Sequence, residues 1–162
     1  MDLSYITVKS PIGPLTLMAD SFALKEIRFG SVCPDGASRA VNPVLSHALW
    51  ELEAYFAGKL RVFTVPLAPE GTDFQKRVWD ALLRIPYGRT ASYGIIAAQA
   101  GSPRAFRAVG QACHCNPVPI IIPCHRVLPS VGGLGGYAGG AEIKRMLLEL
   151  ENEASGKKSL FI

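Results

Sequence analysis

The sequence predicts an α/β (α+β) chain in two parts: a small sheet-plus-helix domain over residues 1–70, a mostly helical domain over 71–154, and a tail over 155–162. Three observations lead there. Residues 1–30 alternate apolar and polar positions between Pro and Gly breaks, the mark of short strands. Past residue 70 the apolar residues recur instead at helical spacing. Between the two lies Pro66-Leu67-Ala68-Pro69-Glu70-Gly71, whose prolines and glycine suit a linker.

Tyr5-Ile6-Thr7-Val8, Leu15-Thr16-Leu17-Met18-Ala19 and Leu24-Lys25-Glu26-Ile27-Arg28-Phe29 read as an antiparallel meander. Leu45, Leu49, Leu52 and Phe56 place a helix over 43–58, with Gly58 as its stop, and Val62-Phe63-Thr64-Val65 reads as a further strand. Thr72 caps the next helix in a capping box with Gln75, and Phe74, Val78, Trp79, Leu82 and Leu83 form its apolar face before Pro86 and Gly88. Helices over 92–99 and 103–112 then flank Gly101-Ser102-Pro103, in helix-turn-helix arithmetic that many proteins without nucleic-acid partners share. Residues 120–122, all isoleucine, read as a buried strand. A glycine-rich loop over 132–140 leads into a helix over 141–153, with Ile143, Met146, Leu147 and Leu150 on its apolar face and Glu151 in its last turn.

With 162 residues the chain can bury a real core. No apolar run reaches the length of a membrane span, and Met1-Asp2-Leu3-Ser4 lacks the pattern of a signal peptide, so the expected setting is cytoplasmic, with no membrane partner. Four cysteines there are expected to be reduced. Of the charged residues, 1–70 carry six Lys/Arg against seven Asp/Glu, whereas 71–145 carry nine against three. The second domain therefore holds the positive charge, which suits a polyanionic partner or simply a solvated face.

Pro123-Cys124-His125-Arg126-Val127 carries the chemistry. A thiol at neutral pH is a few per cent thiolate, so a working cysteine needs a base or a positive field, and His125 is adjacent in sequence. On extended backbone the two side chains point to opposite faces, so contact requires a turn or a bridging water. The alternative is a buried structural cysteine followed by a surface histidine. Glycines 132, 133, 135, 136, 139 and 140 allow the following loop to approach a ligand closely, and a buried Glu151 would orient His125.

Several motifs in order then resemble the O6-alkylguanine-DNA alkyltransferases: Phe74-Gln75, Val78-Trp79, Ile85-Pro86-Tyr87-Gly88, Ser92-Tyr93, Arg107-Ala108-Val109-Gly110, Asn116-Pro117, the Pro123 to Val127 segment, and Gly136-Tyr137-Ala138-Gly139-Gly140. The resemblance covers about residues 71–151 and is loose before residue 70. It implies a ribonuclease H-like N-terminal domain and a winged helix-turn-helix C-terminal domain. It implies that Cys124 accepts the alkyl group from O6-alkylguanine, and from O4-alkylthymine, in one self-inactivating turnover, with His125 as base through water, Glu151 orienting it, Tyr93 donating to the guanine and Asn116 bracing the cysteine turn. Arg107 would fill the space left by a flipped nucleotide, with Ala108 and Gly110 letting the helix approach double-stranded DNA in the minor groove and Ser92 touching phosphate. Val127, Tyr137, Ala138 and Gly139 would build the base pocket. The resemblance implies a monomer without cofactor.

Cys113-His114-Cys115 departs from the family pattern and raises a zinc site, but its spacing is not that of structural zinc and ligation would quench the nucleophile. In the N-terminal half only Cys33 and His47 could serve a zinc, so none is expected. Two rivals remain: a lesion-binding module without catalysis, disfavoured by Cys124, and a cysteine hydrolase, which would turn over many times.

Overall fold

A computed structural model describes residues 2–157 of the chain, which divides between Glu70 and Gly71 into two units. In the first, alternation produces the expected meander: β1 (Leu3–Val8), β2 (Leu15–Ala19) and β3 (Leu24–Phe29) pair antiparallel, with Ile6 opposite Leu17 and Leu17 opposite Ile27. A fourth strand, β4 (Ala37–Arg39), adds parallel to β1 and gives the order β3-β2-β1-β4. Its three residues are too few and too polar to show a period in the sequence. Helix α1 (Pro43–Phe56) starts where Asn42 Oδ1 accepts from the Leu45 amide at 2.8 Å, with Pro43 supplying a first position that needs no donor. It buries Leu45, Ala48, Leu52 and Tyr55 against the sheet.

The strand expected at Val62-Phe63-Thr64-Val65 does not form. The carboxylate of buried Glu51 accepts from the Thr64 amide at 2.9 Å and from the Val65 amide at 2.8 Å, so these donors are spent on a side chain and not on a ladder. Sheet-like pairing is limited to one parallel bridge between Leu24 and Leu67.

In the second unit α2 (Asp73–Leu83) carries the expected capping box: the Gln75 amide donates to Thr72 Oγ1 at 3.1 Å and the Thr72 amide to Gln75 Oε1 at 2.9 Å. Its Trp79 is buried and its indole N–H donates to the Ala112 carbonyl at 2.9 Å, which ties α2 to α4 (Phe106–His114). Helix α3 (Tyr93–Gln99) precedes α4, and the second helix begins at Phe106 instead of 103 because Ser102-Pro103-Arg104-Ala105 closes a turn through the Ala105 amide and the Ser102 carbonyl, 2.9 Å. Two-residue strands β5 (Ala91–Ser92) and β6 (Val127–Leu128) pair in parallel, bringing the start of α3 beside the end of the cysteine segment.

Residues 120–122 are buried but form a tight turn, not a strand. Pro117, Pro119 and Pro123 remove ladder donors on both sides, and Ile120 sits at φ 76°, a conformation a β-branched residue rarely adopts. Helix α5 (Ala141–Ala154) buries Lys144, Leu147, Leu148 and Glu151, a face one step round from the expected one; Ile143, Met146 and Leu150 are half-buried. Among the described residues no helix is long and apolar enough to cross a membrane. In the tail, Lys157 donates to the Gly88 carbonyl, while Lys158 lies outside the described residues.

Candidate active site

Pro123 ends the isoleucine turn, and Cys124, His125 and Arg126 form a single 3₁₀ turn before β6. Asn116 holds it. Its Nδ2 donates to the Ile122 carbonyl at 2.8 Å and to Cys124 Sγ at 3.3 Å, and its Oδ1 accepts from the Val118 amide at 3.0 Å. One amide thus closes the strained loop and touches the sulfur, and the strain at Ile120, of order 1–3 kcal/mol, persists because this clamp over-determines the turn.

His125 is fully buried and its Nε2 lies 2.6 Å from Glu151 Oε2. Glu151 also accepts from Arg126 Nε at 2.8 Å, Arg126 Nη2 at 3.1 Å and the Gly88 amide at 3.2 Å. Burial alone would raise the Glu151 carboxyl, but the hydrogen bonds and charges of His125 and Arg126 outweigh it and hold the acid well below the usual carboxylate range. An ionised carboxylate only accepts, so Nε2 carries the imidazole proton and Nδ1 is the basic nitrogen. Burial lowers the His125 pKa, more than Glu151 raises it, which keeps the ring neutral. Nδ1 is buried and has no hydrogen-bond partner among the described residues.

Cys124 is 4% exposed, and burial pushes its thiol up to about 11, against the opposing hydrogen bond from Asn116 and the charge of Lys144. The resting sulfur is therefore a thiol that must lose its proton during reaction. It forms part of the wall of a cavity of about 370 Å³ shared with Tyr93, Gly110, Gln111, Cys113, His114, Gly136 and Tyr137. The volume is at the lower end for ligand pockets, enough for one small planar group. Burial, then the two neighbouring thiols, raise the Tyr93 hydroxyl, so it stays protonated and able to donate.

Other expected residues are placed as follows. Ser92 caps α3, its Oγ accepting from the Ile95 amide at 3.1 Å. Arg107 and Ala108 are exposed on the first turn of α4, and Gly110 borders the cavity one turn on. Tyr137 lines the cavity, whereas Ala138 and Gly139 follow it in the loop and Val127 is buried with its carbonyl turned to Lys144. Cys113 and His114 line the cavity and Cys115 is exposed; all four cysteines are free, and among the described residues no three His, Cys, Asp or Glu side chains gather to hold a metal ion.

Two residues of this region carry no role in the sequence reading. Arg126 grips Glu151 with two nitrogens while Nη1 donates to the Ile85 carbonyl at 2.8 Å. Lys144 is fully buried, its Nζ donating to the Val127 carbonyl at 2.7 Å and the Gly136 carbonyl at 3.4 Å, so one ammonium joins the strand after the nucleophile to the glycine-rich wall. The signal for Lys144 lay in its spacing: Lys144, Leu147, Leu148 and Glu151 fall at i, i+3, i+4 and i+7.

Comparison with known proteins agrees with this geometry. The family described as "6-O-methylguanine DNA methyltransferase, DNA binding domain" matches residues 73–153, and its "ribonuclease-like domain" matches residues 3–69. The chain belongs to this family. A methylated-DNA–protein-cysteine methyltransferase from Methanosarcina barkeri is 50% identical over 91% of this chain and 96% of its own length. One from Mycobacterium bovis is 51% identical over 92% of each. Among solved structures, the O6-methylguanine methyltransferase of Mycobacterium tuberculosis superposes with a TM-score of 0.86 at 49% identity over 94% of each chain. A structure of the M. tuberculosis OGT in complex with DNA superposes with a TM-score of 0.87 at 50% identity, over 93% of this chain and 94% of that one. The likeness spans both units, so the fold is that of these methyltransferases throughout, a mixed α/β N-terminal unit followed by a helical DNA-binding one. Relatives this similar carry the name of an enzyme, which favours catalysis over the non-catalytic lesion binder.

Proposed function

We propose that this methyltransferase repairs double-stranded DNA carrying O6-alkylguanine, and O4-alkylthymine, by moving the alkyl group onto Cys124 once per molecule. The observation that carries the assignment is the placement of a buried thiol on the wall of a base-sized cavity, clamped by Asn116 and followed in the same turn by a histidine whose far nitrogen is bound to an ionised carboxylate. His125 Nδ1 takes the thiol proton through a water, Sγ attacks the alkyl carbon, and the bond from that carbon to O6 breaks. The purine leaves with negative charge that the Tyr93 hydroxyl offsets by hydrogen bonding. Glu151 holds the imidazole proton in place and stabilises the imidazolium that forms. The thioether is stable, so the protein is consumed. A cysteine hydrolase would instead form a thioester that water cleaves, turning over many times, and membership of the methyltransferase family disfavours it.

Helix α4 enters the minor groove with Arg107 in the space of the flipped nucleotide, supported by the exposure of Arg104, Arg107 and Ala108 on its approach and first turn. The protein works as a monomer in the cytoplasm, a setting in keeping with its four free thiols.

Intact mass after mixing with an oligonucleotide bearing one O6-methylguanine tests the reading. One methyl per chain, mapped by peptides to Cys124, is expected; repeated turnover without added mass overturns it. Arg107→Ala should slow repair of duplex DNA by about 10- to 100-fold, the cost of losing a group that offsets unstacking of a few kcal/mol, and should slow reaction with free O6-benzylguanine far less. Equal losses on both substrates would remove the finger role.

A further inference from the structure

Phe106 opens α4 directly before Arg107, and it is 53% exposed on a unit that buries most of its large apolar side chains. Its ring is nonetheless held. A Cβ added to Gly94, the second residue of α3, would lie 3.2 Å from Phe106 Cε1, so the ring edge packs closely against that glycine. On α4, Phe106, Gly110 and Cys113 fall at i, i+4 and i+7, one stripe of the helix. Gly110 and Cys113 line the cavity of Cys124, and Tyr93, the neighbour of Gly94, lines it too. Phe106 therefore continues the cavity stripe outward to the surface, between the exposed guanidinium-bearing residues Arg104 and Arg107. A braced aromatic ring with an open side, flanked by arginines on a DNA-binding domain, has the makings of a stacking platform.

We propose that Phe106 stacks on a nucleobase of the DNA duplex next to the flipped nucleotide, an inference that rests on the placement of α4 against DNA. The occupant follows from chemistry. The flanking positive charge draws a polyanion, and every base offers a π-face, so the contact adds affinity without sequence preference, as a lesion scanner requires. Arg107 fills the vacated stack while Phe106 covers the neighbouring base, which limits collapse of the opened duplex.

The test measures binding to a duplex oligonucleotide carrying O6-methylguanine with 2-aminopurine beside it, in a Cys124→Ser background that keeps the lesion intact. Phe106→Ala should weaken binding by about 10- to 100-fold and change the 2-aminopurine emission in the complex, whereas Phe106→Tyr should restore both. Phe106→Leu, equally apolar and matched for folding by thermal melting, should stay weak. Binding by Phe106→Leu equal to the parent would overturn stacking in favour of simple apolar contact. Full affinity in Phe106→Ala with loss in Arg107→Ala would overturn the Phe106 role and leave α4 at the DNA; full affinity in both would overturn the α4 placement itself.

Discussion

Cys124→Ser should abolish methyl transfer while leaving fold and DNA affinity in place. The exchange replaces one sulfur by a smaller oxygen in a buried position whose main partner, Asn116 Nδ2, also donates to the Ile122 carbonyl and so stays anchored. Stability should change by about 1 kcal/mol, since no charge is stranded and the new hydroxyl oxygen can still accept from Asn116 Nδ2. Reactivity is another matter. Burial already pushes the thiol up to about 11, within reach of a neighbouring imidazole during reaction, but a serine hydroxyl is a far weaker acid and a poorer nucleophile towards carbon. Intact mass with methylated oligonucleotide should show no added methyl, and gel shift on the same duplex should show parental affinity. A methyl still arriving, mapped to Cys113 on the same cavity wall, would move the acceptor to the other thiol. Cys113 is the weaker candidate, because burial pushes it up to about 12 and it has neither the Asn116 contact nor a place beside His125.

Glu151→Gln should cost both stability and rate. The carboxylate neutralises Arg126 and orders His125 in a place where all three side chains are buried. Removing one partner of a buried ion pair costs about 3–5 kcal/mol, because the remaining guanidinium keeps its desolvation penalty. The rate should fall by about 10²–10⁴, the usual contribution of a positioned base, since an amide can accept from Nε2 yet cannot stabilise the imidazolium. The pH dependence gives a sharper readout. The folded protein holds Glu151 ionised well below the value of about 4.3 at which an unfolded chain protonates it. Its stabilisation is therefore complete above that value and is lost as the pH falls towards the folded one. Urea unfolding from pH 7 down to pH 3 should show steep acid destabilisation in the parent and a flatter profile in the variant. Identical slopes would mean that Glu151 is not the acid-sensitive link. His125 adds in the same direction, since a ring kept neutral by burial favours the folded state at a pH above its ordinary pKa and opposes it below.

Local physics wrote part of this molecule into its sequence. The capping box of Thr72 and Gln75, the Asn42 cap and the alternation of β1 to β3 involve residues close along the chain, and they form as the sequence alone requires. The order of motifs likewise named Cys124, His125, Asn116, Tyr93 and Glu151, and the fold gathers these five around the cavity and the carboxylate behind it. Tertiary structure decided the rest, wherever a long-range partner outbid local preference. Val62 to Val65 has strand composition, but Glu51 takes its amides. The isoleucines at 120–122 are an exception to that rule: they are as buried as a strand, but three prolines of the same segment and the Asn116 clamp six positions back bend them into a turn, a local signal that the apolar run masks. Arg126 and Lys144 look like surface charges by residue type, and only partners up to 41 positions away, the Ile85 carbonyl for Arg126 and the Val127 carbonyl for Lys144, make their burial tolerable. Burial of a charged side chain is tolerated when distant groups accept its hydrogen bonds, and those partners are brought to it in space, not along the chain.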